Sequence, residues 1–250
     1  MSRVASTSWD PALYLDFDDH RSRPFVDLLA RVGARSPRHV VDAGCGPGHL
    51  TAVLAARWPD ARVTAFDSSP DMVAAARERG VDATRQDVGS WSPEGDVIVS
   101  NAVLQWVPGH RALLRRWVDA LPDAGWLAVQ VPGNFTAPSH VLAREVADRF
   151  DVPLRDAATV AEPAEYAGDL AGASAVDVWE TTYLQRLTGE DPVLRWISGT
   201  ALRPVRDALS DAAYRDFVEV LAPRLREAYP ANPDGSTWFP FRRIFLVARR

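Results

Sequence analysis

Apolar and polar positions alternate in two ways along the first 135 residues of the chain. Short continuous apolar runs, typical of strands buried on both faces, are separated by segments in which apolar residues recur at helical spacing. Strands separated by helices predict βαβ units, and repeated βαβ units predict a parallel sheet covered on both faces. The predicted strands span residues 38–42, 61–66, 81–86, 96–100 and 126–131.

The helices predicted between these strands span residues 50–58, 70–80 and about 110–121. Pro70 stands where the second of them begins and Gly80 where it stops, which are the preferred places of these residues at helix ends.

The second half of the chain has a different pattern. Helices are predicted over residues 141–150 and 209–229, the latter with one apolar face, and two further strands over 176–187 and 244–248. We interpret the largely helical stretch from about 139 to 230 as a cap over the mouth of the sheet. Ordinary packing on one face of the sheet is the alternative that the pattern leaves open.

The first strand runs into a glycine-rich turn with the sequence D-A-G-C-G-P-G at residues 42–48. The glycines Gly44, Gly46 and Gly48 give G-x-G-x-G, whereas a dinucleotide fingerprint requires a glycine where His49 stands. A phosphate-binding P-loop requires a lysine, and all 28 basic residues of this chain are arginine. The turn therefore predicts a nucleotide that is neither a dinucleotide nor a triphosphate.

Three carboxylates follow three successive predicted strands. Asp42 precedes the glycine turn, Asp67 ends the second strand and Asp87 the third. A pyrophosphate is disfavoured beside three carboxylates, whereas ribose hydroxyls, an adenine amino group, an ammonium and a sulfonium suit them. S-adenosylmethionine carries all four of these groups, so the acids favour it as the ligand.

The segments D-A-G-C-G-P-G, F-D-S-S, Q-D-V and S-N-A-V-L-Q-W resemble, in order and spacing, the class I S-adenosylmethionine-dependent methyltransferases over residues 20–135. The resemblance implies an α/β fold with a Rossmann-like sheet of seven strands, the last antiparallel, in a single domain over residues 1–250 whose final strand spans about 241–249. It also implies the cofactor-binding residues: Asp42, Gly44, Cys45, Gly46, Gly48, Asp67, Ser68, Met72, Asp87, Val88, Asn101 and Gln105.

Composition narrows the class of partner and the compartment. A net charge of −5 and the absence of a basic stripe argue against nucleic acid as the partner. The start of the sequence has no apolar run of the signal-peptide kind and no stretch is apolar enough for a membrane span, so we expect a cytoplasmic protein. The single cysteine, Cys45, excludes an internal disulfide and is interpreted as a small residue in a tight turn rather than a nucleophile.

Five further segments resemble the trans-aconitate 2-methyltransferase family, so that the similarity extends from about residue 9 to the end of the chain. They are residues 9–15, 23–32, 131–140, 196–204 and 239–245. The resemblance implies methyl esterification of one carboxylate of trans-aconitate or a related small polycarboxylate, without a metal. We expect a monomer or a weak dimer.

A carboxylate substrate is ionised at neutral pH and requires no general base, but its charge calls for arginine. Adjacent Arg242 and Arg243 point to opposite faces of a regular strand, so only one of them is expected to be functional. Candidates for a catalytic role are Tyr14, His20, His140 and Arg203. The substrate-binding candidates are Arg23, Tyr183, Trp196, Arg203, Arg242 and Arg243.

The cofactor motifs leave other functions open. One is a small-molecule O-methyltransferase acting on a different acid, a phenol or a quinone, which for a hydroxyl acceptor requires a base. Another is a module that binds S-adenosylmethionine without catalysis. Methylation of RNA or DNA is disfavoured by the acidic charge, and methylation of a protein carboxyl group has no signature here.

Overall fold

In the computed structural model, which describes residues 22–154 and 160–250, seven strands form a single sheet. The strands are β1 (His39–Ala43), β2 (Arg62–Asp67), β3 (Ala83–Arg85), β4 (Val97–Asn101), β5 (Trp126–Pro132), β6 (Ala175–Leu187) and β7 (Thr237–Arg249). Their order is β3-β2-β1-β4-β5-β7-β6. Neighbouring strands from β3 to β5 are parallel, and β7 is antiparallel to both β5 and β6. The predicted sheet with an antiparallel last strand is confirmed.

Nine α-helices connect and cover these strands within the described residues. They are α1 (Arg23–Leu29), α2 (Thr51–Arg57), α3 (Pro70–Glu78), α4 (His110–Ala120), α5 (Pro138–Asp148), α6 (Pro163–Asp169), α7 (Pro192–Ser198), α8 (Arg203–Ala208) and α9 (Asp211–Ala228), with a 3₁₀ turn at Leu104–Trp106. No helix of the described ranges is long and apolar enough to cross a membrane.

Helix α3 shows how local sequence sets the boundaries. Pro70 stands in its first turn, and the Ser69 side chain accepts the N–H of Met72. At its other end Gly80 has a φ of +80°, and the N–H groups of Gly80 and Val81 return to the carbonyls of Arg77 and Ala76. This is the pattern of a Schellman motif, which a glycine in the left-handed region makes possible.

Two apolar cores lie on the two faces of the sheet. One face packs against α1, α5, α7 and α9, with Phe25, Val146, Ile197, Phe217 and Phe245 fully or almost fully buried. The other face packs mainly against α4 and α6. Both faces of the central strands are therefore covered, as the nearly continuous apolar runs predict.

The chain direction across the sheet changes at β1. Strand β1 pairs with β2 on one side and with β4 on the other. The chain passes from β1 to β2 first, and it later returns to add β4 on the opposite side of β1. In open α/β sheets, ligands bind outside the carboxyl ends of the strands at such a switch point. The turns after β1, β2 and β4 meet at this edge.

The second half of the chain differs from the sequence prediction in two places. Strand β7 has 13 residues and not only residues 244–248, because it pairs with β6 over its full length, and the polar residues and proline in its first half hide it from an apolar-run criterion. Residues 192–208 also have no individually predicted helix, whereas the structure forms α7 there, followed by Gly199, and then α8, which begins at Arg203.

Candidate active site

The glycine-rich turn between β1 and α2 is held against the end of β2. The backbone N–H groups of Gly44 and Cys45 both donate to the carbonyl oxygen of Phe66, at 2.8 and 3.0 Å. The N–H of Gly46 donates to Asp67 Oδ2 at 3.0 Å. The turn therefore has a fixed position relative to the carboxyl ends of β1 and β2.

The three glycines of this turn have φ angles of +88°, +54° and +79°, which other residues rarely adopt. A Cβ on Gly44 would lie 2.3 Å from Val103, and one on Gly48 would lie 2.9 Å from Ala76. A Cβ on Gly46 would have nothing within 4 Å. Two glycines therefore permit close packing of the protein itself, whereas Gly46 borders open space in which a ligand can lie.

Asp67 links the glycine turn to the start of α3. Its Oδ2 accepts the Gly46 N–H, and its Oδ1 accepts the Ser69 N–H at 2.9 Å. Because an ionised carboxylate offers about four acceptor positions, these two bonds leave capacity for ligand hydroxyls. Ser69 caps the N-terminus of α3.

Asp42 lies beneath the glycine turn and is 3% exposed. Its Oδ2 accepts the hydroxyl of Thr51 at 2.6 Å. Burial raises the pKa of Asp42 to about 6, with a smaller contribution from the nearby charge of Asp67, while the bond from Thr51 acts in the opposite direction. A ligand cation beside Asp42 would offset the cost of its buried charge.

The outer predicted cofactor residues lie near the ends of β2 and β3. Asp87 is exposed, and its Oδ1 accepts the Gly89 N–H at 2.8 Å, so it also forms a turn of its own. Val88 beside it is buried, whereas Ser68 and Met72 are exposed at the start of α3. The solvent-facing side chains are accessible to an adenine ring, but no contact of the described protein fixes them for that role.

Cys45 has the properties of a packing residue. It is buried, and burial together with the charges of Asp42 and Asp67 raises the pKa of its thiol to about 12. A thiol with such a pKa is protonated at neutral pH and is a poor nucleophile. In the described ranges, no group of three or more His, Cys, Asp or Glu side chains is arranged to hold a metal ion.

A cavity of about 570 Å³ opens between the carboxyl ends of β4 and β5 and helices α5 and α7. Asn101, Gln105 and the residues after the glycine turn line one side of the cavity. The cavity therefore adjoins the turns after β1, β2 and β4 where the cofactor is predicted to bind, which together are called the cofactor groove. Trp196 packs edge-on against Phe241 at 5.6 Å and forms an apolar wall. The remaining polar lining residues are His49, Gln130, Asn134, His140, Arg144, Thr200 and Arg243.

Sheet register explains why three of these polar side chains share the cavity. Asn101 pairs with Gln130 on the neighbouring strand, and Gln130 pairs in turn with Phe245. Residues paired across a sheet share a face, as do residues two apart in one strand, so Arg243 lies on the same face as Phe245. A row of Asn101, Gln130 and Arg243 therefore crosses the floor of the cavity.

The far end of the cavity is cationic. Arg144 of α5 donates through Nη1 to the carbonyl oxygen of Phe135 at 2.9 Å. Arg243 lies over the ring of Phe241 at 3.5 Å and approaches Asn134 Oδ1 at 3.5 Å. No Asp or Glu is among the described residues that line the cavity. Two guanidinium groups thus face a space whose lining, as far as its residues are described, has no anionic side chain.

His140 lies near both arginines and is neutral at neutral pH. Burial, followed by the charges of Arg144 and Arg243, lowers its pKa to about 4. Its Nδ1 is 3.1 Å from the hydroxyl of Ser139, and its Nε2 is 3.4 Å from the side-chain nitrogen of Asn134. His140 therefore supplies hydrogen bonding at neutral pH and is a weak base.

The adjacent arginines of β7 point to opposite faces, as the strand period predicts. Arg243 enters the cavity, whereas Arg242 binds Glu162 Oε2 at 2.6 Å and Glu180 Oε2 at 2.5 Å outside it. These carboxylates raise the pKa of Arg242 further above its ordinary value. The structure thus places Arg243, but not Arg242, where a cavity ligand can meet it.

Other residues predicted to bind substrate are not brought to the cavity lining. Tyr183 donates to Asp27 Oδ2 at 2.7 Å, and Arg23 lies over the Tyr183 ring at 5.0 Å, because both pack where β6 meets α1. Arg203 is exposed at the start of α8. Of the six predicted substrate residues, Trp196 and Arg243 line the cavity. Tyr14 and His20 lie outside the described residues.

Sequence reasoning missed Gln130, Asn134 and Arg144 as cavity residues. Gln130 was available as a polar residue inside the apolar run of β5, where a buried amide calls for a partner. Asn134 lies in the segment 131–140 that carried the family resemblance. Arg144 gave no comparable signal, because a helical arginine is more often a solvated residue.

The sequence of this chain matches a family model and several proteins with assigned names. The family model described as "Methyltransferase domain" matches residues 17–168. A trans-aconitate 2-methyltransferase of Rhodococcus jostii is 64% identical, covering 96% of this chain and 99% of its own length. A protein of the same name from Mycobacterium tuberculosis is 56% identical over 96% of each chain.

Solved structures agree on the fold. The YcgJ protein of Bacillus subtilis matches with a TM-score of 0.58 and 14% identity, covering 92% of this chain and 99% of that one. Phosphoethanolamine N-methyltransferase 2 of Haemonchus contortus, in complex with S-adenosyl-L-methionine, matches with a TM-score of 0.52 and 18% identity, covering 90% of this chain and 52% of that one. At these identities the likeness concerns the fold alone.

Proposed function

The chain belongs to the trans-aconitate 2-methyltransferase family, and from that membership we propose that it methylates one carboxylate of trans-aconitate or a closely related small polycarboxylate. The product is a monomethyl ester, and the methyl donor is S-adenosylmethionine. The cofactor lies along the turns after β1 to β4, and the acid lies in the adjoining cavity.

The residues at the strand ends suit S-adenosylmethionine. Open space beside Gly46 leaves room for close approach to the backbone, and Asp67 retains acceptor capacity for ribose hydroxyls. Asp42 is a buried carboxylate that a ligand ammonium would stabilise. The buried Oδ1 of Asn101 has no hydrogen-bond partner in the described part of the protein, so it can accept one from a ligand.

The remaining predicted cofactor-binding residues contact S-adenosylmethionine along the same groove in this proposal. When bound, S-adenosylmethionine supplies an electrophilic methyl group, whose bond to the sulfonium sulfur breaks as a carboxylate oxygen bonds to it, leaving S-adenosylhomocysteine and an ester. No proton is released, so the protein's task is to bind and orient the acid.

The observation that carries the choice of substrate is the charge of the cavity. Arg144 and Arg243 face it, and no carboxylate is among its described lining residues, although the whole chain has a net charge of −5. Guanidinium groups bind carboxylates strongly and with defined geometry. A small acid with more than one carboxylate can place one group near the cofactor and the others at the arginines.

Neutral His140 adds selectivity to this arrangement. A phenol or another hydroxyl acceptor requires a base to remove its proton. A histidine whose pKa is about 4 is a poor base for that purpose, but its ring can still hydrogen-bond a carboxylate. This favours an acid over a phenol or quinone within the same fold.

A methyl-transfer assay with labelled cofactor tests the proposal across trans-aconitate, cis-aconitate, citrate, isocitrate and itaconate, with phenols as the matched negative series. We expect the largest kcat/KM for trans-aconitate or a close analogue and no transfer to phenols. Transfer to phenols alone would contradict the proposal. Cofactor binding without transfer to any acceptor would instead favour the non-catalytic module.

We also propose a domain organisation, a cellular location and an oligomeric state. These are a single domain over residues 1–250, in which the helices between 139 and 230 act as a cap, a cytoplasmic location, and a monomer or weak dimer. Neither nucleic acid nor membrane is part of the proposed activity. Size-exclusion chromatography with light scattering measures the oligomeric state directly.

A further inference from the structure

Gln130 is a buried amide whose donor group is not used by the described part of the protein. Its side chain is 1% exposed, and its Nε2 has no hydrogen-bond partner among the described residues. Gln130 nevertheless lines the cavity, at the centre of the otherwise apolar strand β5. Leaving a buried donor unpaired destabilises a fold, so such a group calls for a ligand or another function.

Gln130 lies between the cofactor side of the cavity and its cationic end. On one side it pairs with Asn101, which lines the cofactor side of the cavity. On the other side it adjoins β7, the strand that carries Arg243. An acid that extends from the cofactor to the arginines must therefore cross the floor at Gln130. Gln130 is therefore placed on this floor between the cofactor side and Arg243.

The chemistry of esterification requires different partners for reacting and non-reacting carboxylates. The reacting carboxylate loses its negative charge as the carbon–oxygen bond forms. A guanidinium bound to it would stabilise the charged ground state more than the transition state and would slow the reaction. A neutral N–H donor orients the group with a smaller penalty of this kind. The other carboxylates keep their charge, so arginine is suited to them.

Building on the proposed function, we propose that Gln130 holds the carboxylate that is methylated. Its Nε2 donates to one oxygen of that group, which directs the other oxygen toward the methyl donor. Arg144 and Arg243 hold the carboxylates that stay ionised. For a tricarboxylate this gives one neutral contact at the reacting end and two charged contacts at the other.

Two substitutions test this division. Gln130→Met keeps the length of the side chain without the donor, and Gln130→Glu replaces the donor by an acceptor that repels the substrate. We expect kcat to fall by about tenfold to a hundredfold in Gln130→Met and further in Gln130→Glu, with KM of Gln130→Met changed by less than about threefold. In Arg144→Met, by contrast, KM rises and kcat changes little.

Gln185→Met is the matched control, because Gln185 is a second buried glutamine of the same sheet that does not line the cavity. Its kcat is expected to match that of the unmodified chain. Thermal unfolding of all variants separates misfolding from lost orientation. If Gln130→Met does not fold, Gln130→Asn replaces it in the test. This variant keeps the N–H donor on a shorter side chain, and we expect it to lower kcat at a similar KM.

Calorimetry with the S-adenosylhomocysteine-loaded protein gives a readout that does not depend on turnover. We expect trans-aconitate to bind Gln130→Met nearly as well as the unmodified protein and Arg144→Met much more weakly. A Gln130→Met variant that keeps full kcat while the unmodified chain methylates the acid overturns only this inference. An unmodified chain that methylates no acid of the panel overturns the proposed function itself.

Discussion

The cofactor side and the substrate side of the candidate active site are built from different parts of the chain. On the cofactor side, the glycine turn is fixed by backbone N–H groups that donate to Phe66 and Asp67, within 24 residues of sequence from 44 to 67. On the substrate side, the cavity combines side chains of β5, α5, α7 and β7, which span residues 130 to 243. The first is built within one short stretch of sequence, and the second is assembled from distant segments.

This difference has a consequence for specificity. A site built around one turn depends on the geometry of that turn and on the Asp67 carboxylate that holds it. A site made of distant side chains can change its ligand by a single substitution. We therefore expect substitutions in the cavity to alter substrate binding without affecting the cofactor, and substitutions at the strand ends to do the reverse.

The largest expected effect is that of removing both cationic groups from the cavity. In the double variant Arg144→Met with Arg243→Met, we expect kcat/KM for trans-aconitate to fall by about a hundredfold to ten-thousandfold. Two charge-assisted hydrogen bonds, each contributing about 1.5–3 kcal/mol, account for that range. Steady-state kinetics measures the fall, and calorimetry is expected to show unchanged affinity for S-adenosylmethionine.

Arg203→Met is the control for this variant, since it removes an exposed arginine that does not line the cavity. Its kcat/KM is expected to equal that of the unmodified chain. If the double variant retained its activity while Arg203→Met lost it, the assignment of the cationic end would be wrong.

On the cofactor side, Asp67→Ala is expected to weaken S-adenosylmethionine binding by about tenfold to a hundredfold. The substitution removes the acceptor for the Gly46 and Ser69 N–H groups together with the proposed acceptor for the ribose hydroxyls. Titration calorimetry measures the affinity. Asp82→Ala removes an aspartate just before β3, where it pairs weakly with Arg62 at 3.9 Å, and should leave the affinity unchanged.

A third prediction concerns the pH dependence of cofactor binding. Because the pKa of Asp42 is about 6 in the folded chain, its carboxylate becomes ionised as the pH rises through that value. We expect affinity for S-adenosylmethionine to rise by up to about tenfold from about pH 5 to about pH 7, since the ligand ammonium requires an anionic partner. Asp42→Asn should remove this dependence.

The stability of the ligand-free protein should also depend on the ionisation of Asp42. It should fall over the pH range in which the affinity for S-adenosylmethionine rises. A folded pKa raised above the unfolded value contributes stability at low pH that is lost as the pH rises through about 6. Denaturant unfolding of the unmodified chain and Asp42→Asn at several pH values isolates that contribution. Identical pH profiles for the two proteins would contradict a raised pKa at Asp42.

The sequence was sufficient for the sheet and for the glycine turn because both are encoded locally. Apolar runs gave five parallel strands with small errors at their ends, and the order of the acids followed from the order of the strands. The cavity was less predictable because sheet register, not sequence distance, brings Gln130 beside Asn101 and near Arg243. Arg144 enters it through the packing of α5, which no local pattern specifies.

The smallest expected effect distinguishes neighbouring arginines that sequence composition cannot separate. Arg242→Met removes the ion pairs with Glu162 and Glu180 but nothing that lines the cavity, so we expect an unchanged KM. Partly exposed ion pairs contribute about 0–1 kcal/mol each, so the melting temperature should fall by only a few degrees. Arg243→Met should raise KM instead, because its guanidinium lies on the cavity face. The two variants differ by one position along β7, so a rise in KM for Arg242→Met would show that the strand face, and with it the division between structural and substrate-binding arginines, is assigned wrongly.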